Sequence, residues 1–184
     1  MTIERGLVLI ALFAALIAVL GLIPPIPLGA GVPVSAQSLG VMLCGTVLGA
    51  RRGGLAVLLF LAMVAVGLPV LAGGRGGLGV FTSPTGGFLI GFLPAAYVTG
   101  LIAQGWRGVP AWLSAATGAF VGGVIVLYAF GMLGLMLLVS FGPMQALLAV
   151  TPFLLGDSIK IAVAAALTHA ILRARPDLRS ASRR

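Results

Sequence analysis

"PFLLGDSIKIAVAAALTHAIL" (residues 152–172) reads as a membrane-spanning helix interrupted by one acid and one base. About 20 consecutive apolar residues cross a bilayer core. A charge held at that depth costs roughly 2.5–3.5 kcal/mol on insertion scales. Asp157 and Lys160 stand three residues apart, so they share a helix face, which Phe153 and Ala164 continue. Asp157 is the only acid between Glu4 and Asp177, and Lys160 is the only lysine. Two readings of the pair stand side by side. One is a structural ion pair that cancels two charges; the other is a polar ligand site facing the bundle interior, the usual role of intramembrane ionisable residues.

The rest of the chain sets this helix in a membrane. Of 184 residues, 60% are hydrophobic and 8% charged, and the mean hydropathy is +1.23. A soluble domain of this size cannot hide so much apolar surface, so the composition predicts an all-α integral membrane protein. It forms a single membrane domain, residues 1–184, of which residues 174–184 are a basic tail. The net charge of +8 does not point to nucleic acid, because the basic residues are neither massed on one face nor interleaved with aromatics. The lone Cys44 excludes an internal disulfide and sits among apolar neighbours.

Six transmembrane helices are predicted, at about residues 4–23, 34–50, 53–67, 87–104, 110–131 and 151–173. The run from Gly6 to Ile23 follows Arg5 and resembles a signal peptide. It is long enough to span, and a proline-rich loop separates it from the nearest cleavage-like site, so it is read as the first helix. Residues 132–150 are apolar but broken by "SFGPMQ", which suggests a partial or re-entrant piece.

Arginine sets the orientation. With the N-terminus inside, nine basic residues are cytoplasmic (Arg5, Arg51, Arg52, Arg107, Arg173, Arg175, Arg179, Arg183 and Arg184), one (Arg75) is outside, and Lys160 lies within a helix. The positive-inside rule therefore puts both termini in the cytoplasm of a multi-pass protein of the cell (inner or plasma) membrane. Trp106 and Trp112 flank Arg107 as interfacial belt residues. The long first and third loops, "PPIPLGAGVP" (residues 24–33) and "LPVLAGGRGGLGVFTSPTGG" (residues 68–87), then face outside. The third is too apolar to be a slack linker. Asp157 lies roughly 9 Å below them at 1.5 Å per residue.

Few residues are left for chemistry. His169 is nine residues past Lys160, roughly 13 Å along the helix, and reads as a polar residue near the helix end. No second group converges on Asp157 for acid–base work, so an enzyme is not expected. No His, Cys and carboxylate cluster suggests a metal. "GRGGLG" (residues 74–79) matches the dinucleotide fingerprint but lies in a loop, outside the strand–helix unit that gives the pattern meaning. No phosphate-binding ATPase loop of the Walker A type is present. Ala11, Ala15 and Ala18 fall at helical spacing with Ala14 beside them, and small residues so spaced let another helix approach closely. Internal packing explains that spacing equally well. Gly45/Gly49 and Gly118/Gly122 repeat it.

Four stretches occur in order: "GLPVLAGGRGG" (residues 67–77), "SPTGGFLIGF" (83–92), "YAFG" (128–131) and "PFLLGDSIK" (152–160). With "ALFAAL" (residues 11–16) and the helix of Gln37 they cover nearly the whole chain. Each is weak alone; the ordered set is specific. Together they resemble the BioY family, the biotin-binding substrate component of energy-coupling factor (ECF) transporters. The resemblance implies six helices, with biotin held near the outer side beneath the first and third loops. It implies Asp157, Lys160, Gln37, Thr85, Gly86, Tyr128, Phe153, Gly73 and Gly74 as substrate-binding residues. It also implies that Ala11, Ala14, Ala15 and Ala18 meet a transmembrane coupling (T) subunit driven by ATP-binding-cassette ATPase subunits. This chain would then use neither ATP nor a cofactor itself. Two positions depart from the family pattern: Ser83 replaces a glycine common before "PTGG", and Leu71 an aromatic common after "GLPV".

Biotin suits such a site. Asp157 can accept a ureido N–H in a charge-assisted bond. Lys160 can reach the ureido carbonyl or the carboxylate, and the sequence leaves both open. Thr85, Gly86 and Gln37 offer further hydrogen bonds, while Tyr128 and Phe153 can wall the apolar ring. A substrate component for another vitamin, an intramembrane enzyme and a purely structural subunit are the rival readings.

Overall fold

The structure, a computed structural model, describes residues 3–26, 32–106 and 108–175. Much of the first loop, Arg107 and the tail that carries Arg179, Arg183 and Arg184 lie outside the described residues. Seven helices follow one another among them: α1 (Ile3–Leu20), α2 (Gln37–Leu48), α3 (Ala50–Ala65), α4 (Gly86–Gly105), α5 (Ala111–Leu138), α6 (Pro143–Val150) and α7 (Phe153–Ala174). Four of these, α1, α4, α5 and α7, are long and apolar enough to cross a membrane. α2 and α3 are shorter apolar rods, and α6 is a short capped turn of helix.

α4 is the centre of the bundle, packed against α2, α3 and α5, while α7 lies against α2 and the first part of α5. Half of α4 is buried, including Ala95, Ala96 and Thr99 at zero exposure. Its first turns meet α5 backbone to backbone. A side chain on Gly87 would stand 2.6 Å from the Cα of Gly134, and one on Gly134 would stand 2.5 Å from the Cα of Gly87. Without a hydrophobic force between helices in lipid, such close contact is what holds them together. Gly134→Leu must therefore push α4 and α5 apart. Overpacking costs about 1–3 kcal/mol, more where backbone is the obstacle, so the detergent-solubilised variant is expected to melt at a lower temperature. An unchanged melting temperature would show that this contact carries no stability.

The fifth helix extends further than predicted. α5 runs to Leu138, so residues 132–138 belong to it and not to a separate re-entrant piece. The break falls at Ser140, whose φ of 60° ends the helix. Gly142 and Pro143 then open α6, with the Gly142 N–H donating to the Gln145 Oε1 at 3.0 Å. Two wide π-helical segments, Cys44–Leu48 in α2 and Val121–Val126 in α5, both pack on α4.

The connections separate two ends of the bundle. At one, the Ala50 N–H donates to the Gln104 side chain, tying the α2–α3 corner to the end of α4. Arg51 and Arg52 stand beside that corner, and Arg5 and Arg173 lie in the first turn of α1 and the last turn of α7. Arg75 lies at the opposite end. There Ile26 and Val34 exchange backbone hydrogen bonds of 3.0 and 2.9 Å, which close the neck of the first loop. The third loop is held by backbone bonds: Leu71 N–H donates to Arg75 O at 3.0 Å within the loop, and Gly77 N–H to Val64 O of α3 at 2.7 Å. A short 3₁₀ turn, Leu78–Thr82, leads into α4.

Candidate binding site

A cavity opens at the Arg75 end, lined by residues 32–35, the start of α2, the third loop, the first turns of α4, and parts of α5 and α7. It encloses about 670 Å³ of empty space when the open solvent at its mouth is included.

The polar floor is built on α7. Lys160 Nζ donates to Asp157 Oδ1 at 2.8 Å and to Ser38 Oγ at 2.9 Å. Tyr128 O–H donates to Asp157 Oδ2 at 2.7 Å. Asp157 is 4% exposed, and both of its oxygens are met by donors, the pairing that a buried carboxylate requires. The apolar wall is an aromatic trio. Phe153 stands edge-to-face with Phe88 at 5.9 Å and with Tyr128 at 6.3 Å. Leu89, Phe92 and Leu127 complete it.

The roof carries a second cation. Arg75 Nη1 donates to Thr85 Oγ1 at 3.3 Å, and Arg75 Nε to Ala72 O at 3.4 Å. Ser83 Oγ lies 2.7 Å from Val80 O, which takes its single proton. The 2.9 Å contact between Thr85 and Ser83 then runs from Thr85 to Ser83. The serine that departs from the family pattern thereby anchors the threonine that holds Arg75. Asp157 is engaged by Lys160 and Tyr128, and among the described residues no carboxylate pairs with Arg75. The cavity's formal charge is thus one plus one minus one, a single positive charge.

Six of the residues expected at the site, Asp157, Lys160, Gln37, Thr85, Tyr128 and Phe153, line this one cavity. Gly73, Gly74 and Gly86 do not. Gly73 and Gly74, with φ of 79° and 70°, form the exposed tip of the turn between Leu71 and Arg75. Gly86 is buried against the Phe81 carbonyl, where a side chain has no room. Gln37 lines the cavity with its amide already bonded to backbone. Ser38 and Arg75 were not anticipated as site residues. The signal for Ser38 is its place beside Gln37 at the start of a largely apolar helix. On α1, Ala11 and Ala15 are exposed and Ala18 is half-buried. Ala14, expected on the same partner-facing surface, is 1% exposed within the core and cannot reach a partner.

The sequence profile described as the BioY family matches residues 2–177. A biotin transporter BioY of Rhodobacter capsulatus is 54% identical over 182 residues, 94% of this chain and 96% of that one. A biotin transporter BioY of Rhizobium etli is 51% identical over 178 residues, 94% of this chain and 95% of the other. The crystal structure of the S-component for biotin from an ECF-type ABC transporter superposes with a TM-score of 0.86 at 29% identity, covering 94% of this chain and 95% of its own. This chain, with its cavity beneath the third loop and its buried Asp157–Lys160 pair, belongs to the BioY family, a family of transporter components and not of enzymes.

Proposed function

We propose that this protein is the biotin-binding substrate component of an ECF-type uptake transporter, taking biotin into the cavity under the third loop. The observation that carries this reading is the cavity's charge: one satisfied carboxylate, one lysine paired to it, and one arginine with no acid opposite among the described residues. Such a site suits a small monoanion with an apolar body and a polar head. Biotin has that form. Its ureido group meets the floor, where Asp157 retains lone pairs for an N–H and Lys160 retains one proton for the ureido carbonyl. Its sulfur-bearing ring lies against Phe153, Phe88 and Tyr128, and its carboxylate meets Arg75. Of the two contacts open to Lys160, this reading takes the ureido carbonyl, because its bonds to Asp157 and Ser38 hold it at the floor.

The same proposal orients the chain. The end with Arg5, Arg51, Arg52, Arg173 and Arg175 faces the cytoplasm, so both termini lie inside and the cavity opens outward. A coupling subunit and its ATPases supply the energy, and this chain supplies recognition. Exposed side chains such as Ile3, Leu137 and Leu155, at 84, 80 and 77%, meet lipid.

Direct binding of labelled biotin to the purified protein tests the function, and Arg75→Cys tests both the site and the orientation. A charge-assisted hydrogen bond is worth about 1.5–3 kcal/mol, so the variant should bind biotin about tenfold or more weakly. The new thiol should react with a membrane-impermeant reagent added from outside, over little background because Cys44 is buried. A cationic thiol reagent at that position should restore part of the affinity. Saturable binding of a different vitamin with none of biotin would overturn the substrate, and labelling only from the cytoplasmic side would overturn the orientation.

A further inference from the structure

Gln37 is the first residue of α2, is 2% exposed and lines the cavity. Its amide is nonetheless directed to backbone. Nε2 donates to Ile17 O at 3.1 Å and to Val70 O at 3.0 Å, and Oε1 accepts from the Ala72 N–H at 3.0 Å. A primary amide has two protons, so both are spent. One side chain therefore joins three segments: the last turns of α1, the start of α2 and the third loop. Gly21 leaves room for this junction. A side chain there would stand 2.5 Å from Val70 O and 2.8 Å from Gln37 Nε2.

The two loop residues that Gln37 holds flank Leu71, whose N–H bonds to Arg75 O at 3.0 Å. Ala72 O, on the residue whose N–H Gln37 receives, accepts from Arg75 Nε at 3.4 Å. The adjacent Ser38 accepts from Lys160 at 2.9 Å. Two consecutive residues thus reach the two polar ends of the cavity, Gln37 the roof and Ser38 the floor. From this geometry we infer that Gln37 is a positioning residue. It holds the Leu71–Arg75 turn at the height where Arg75 meets the ligand carboxylate, and it gives no proton to the ligand itself. The inference rests on the proposed role of Arg75, and the experiment separates the two.

Gln37→Leu keeps the bulk and removes all three bonds. Its affinity should be measured for biotin and for biotin amide, in which a neutral amide replaces the carboxylate. Biotin affinity is expected to fall about tenfold, as for loss of a charge-assisted bond, with the loss appearing as faster dissociation. Biotin amide affinity should change by less than about threefold, and Gln37→Leu added to Arg75→Cys should cost less than about threefold further, since coupled residues are not additive. If Gln37→Leu binds fewer sites per protein because part of it fails to fold, Gly21→Ala disturbs the same junction from α1 and should give the same ligand-selective loss. Equal loss for both ligands in the two variants would overturn the inference, since Gln37 would then serve the shared ring or the fold as a whole. No loss for either ligand would overturn it too, since the turn would keep its place unaided. If Arg75→Cys itself discriminates nothing between biotin and its amide, the proposed role of Arg75 fails, and the inference with it.

Discussion

Replacing Asp157 and Lys160 together with Leu and Met is expected to leave a protein that folds and inserts but has lost biotin binding. Buried ion pairs can often be exchanged for apolar packing at little cost, because both desolvation penalties disappear with the charges. Two hydroxyls lose partners here, those of Ser38 and Tyr128. Each orphaned group costs about 1–3 kcal/mol where nothing replaces the bond, but both line an open cavity where water can serve. Binding has no such remedy. The ligand head loses one charged acceptor and one charged donor, about 1.5–3 kcal/mol each. Together these correspond to a hundredfold or greater loss at about 1.4 kcal/mol per tenfold. Asp157→Asn alone keeps the shape but leaves Lys160 with Ser38 and an uncharged neighbour, and should bind about tenfold or more weakly. The comparison of the two variants, by labelled-biotin binding and thermal unfolding in detergent, separates recognition from structure. A double variant that folds and binds biotin normally would show that the pair is structural and that the site lies elsewhere.

The pair could be found in the sequence because charge is so scarce in an apolar chain that its position speaks. Hydropathy located the helical rods for the same reason. The end of α5 could not be read that way. Glycines at 131 and 134 look like helix terminators in water, whereas here Gly134 meets Gly87 and Gly131 lies against the Phe88 ring. In lipid the backbone has no other partner, so the helix continues and small residues mark contacts instead of ends. The stop came later, at Ser140. Ser38 and Gln37 show a different limit. Their partners lie 122 and 33 residues away in sequence, at Lys160 and Val70. No local pattern says whether a buried amide will meet ligand or backbone. In the sequence Arg75 reads only as the lone basic residue of the two long loops. Its proposed role at the cavity follows from the absence, among the described residues, of an acid opposite it, which only the assembled fold reveals.

Leu substituted at both Ala11 and Ala15 is expected to abolish coupled biotin uptake while leaving biotin binding within about twofold of the unaltered protein, a change on the scale of a neutral surface substitution. The two alanines are four apart and exposed, so they occupy one face of α1, with Leu7 and Val19 exposed beyond them at 61 and 59%. Ala18 is half-buried at the edge of that face, and Ala14 packs into the bundle behind it. Against lipid tails, which are as apolar as Leu, the larger side chain costs nothing. Against another helix it holds the backbones apart and removes the close packing on which association in a membrane depends. The cavity lies at the other side of this logic: its residues come from α2, α4, α5, α7 and the loops, and none of them is on this face of α1. The measurements are uptake by cells that also make the coupling subunit and ATPases, and biotin binding to the isolated chain. Loss of both together would show that this face supports the internal fold, and full retention of uptake would show that it meets only lipid. Loss of uptake alone is the result that places a coupling partner there.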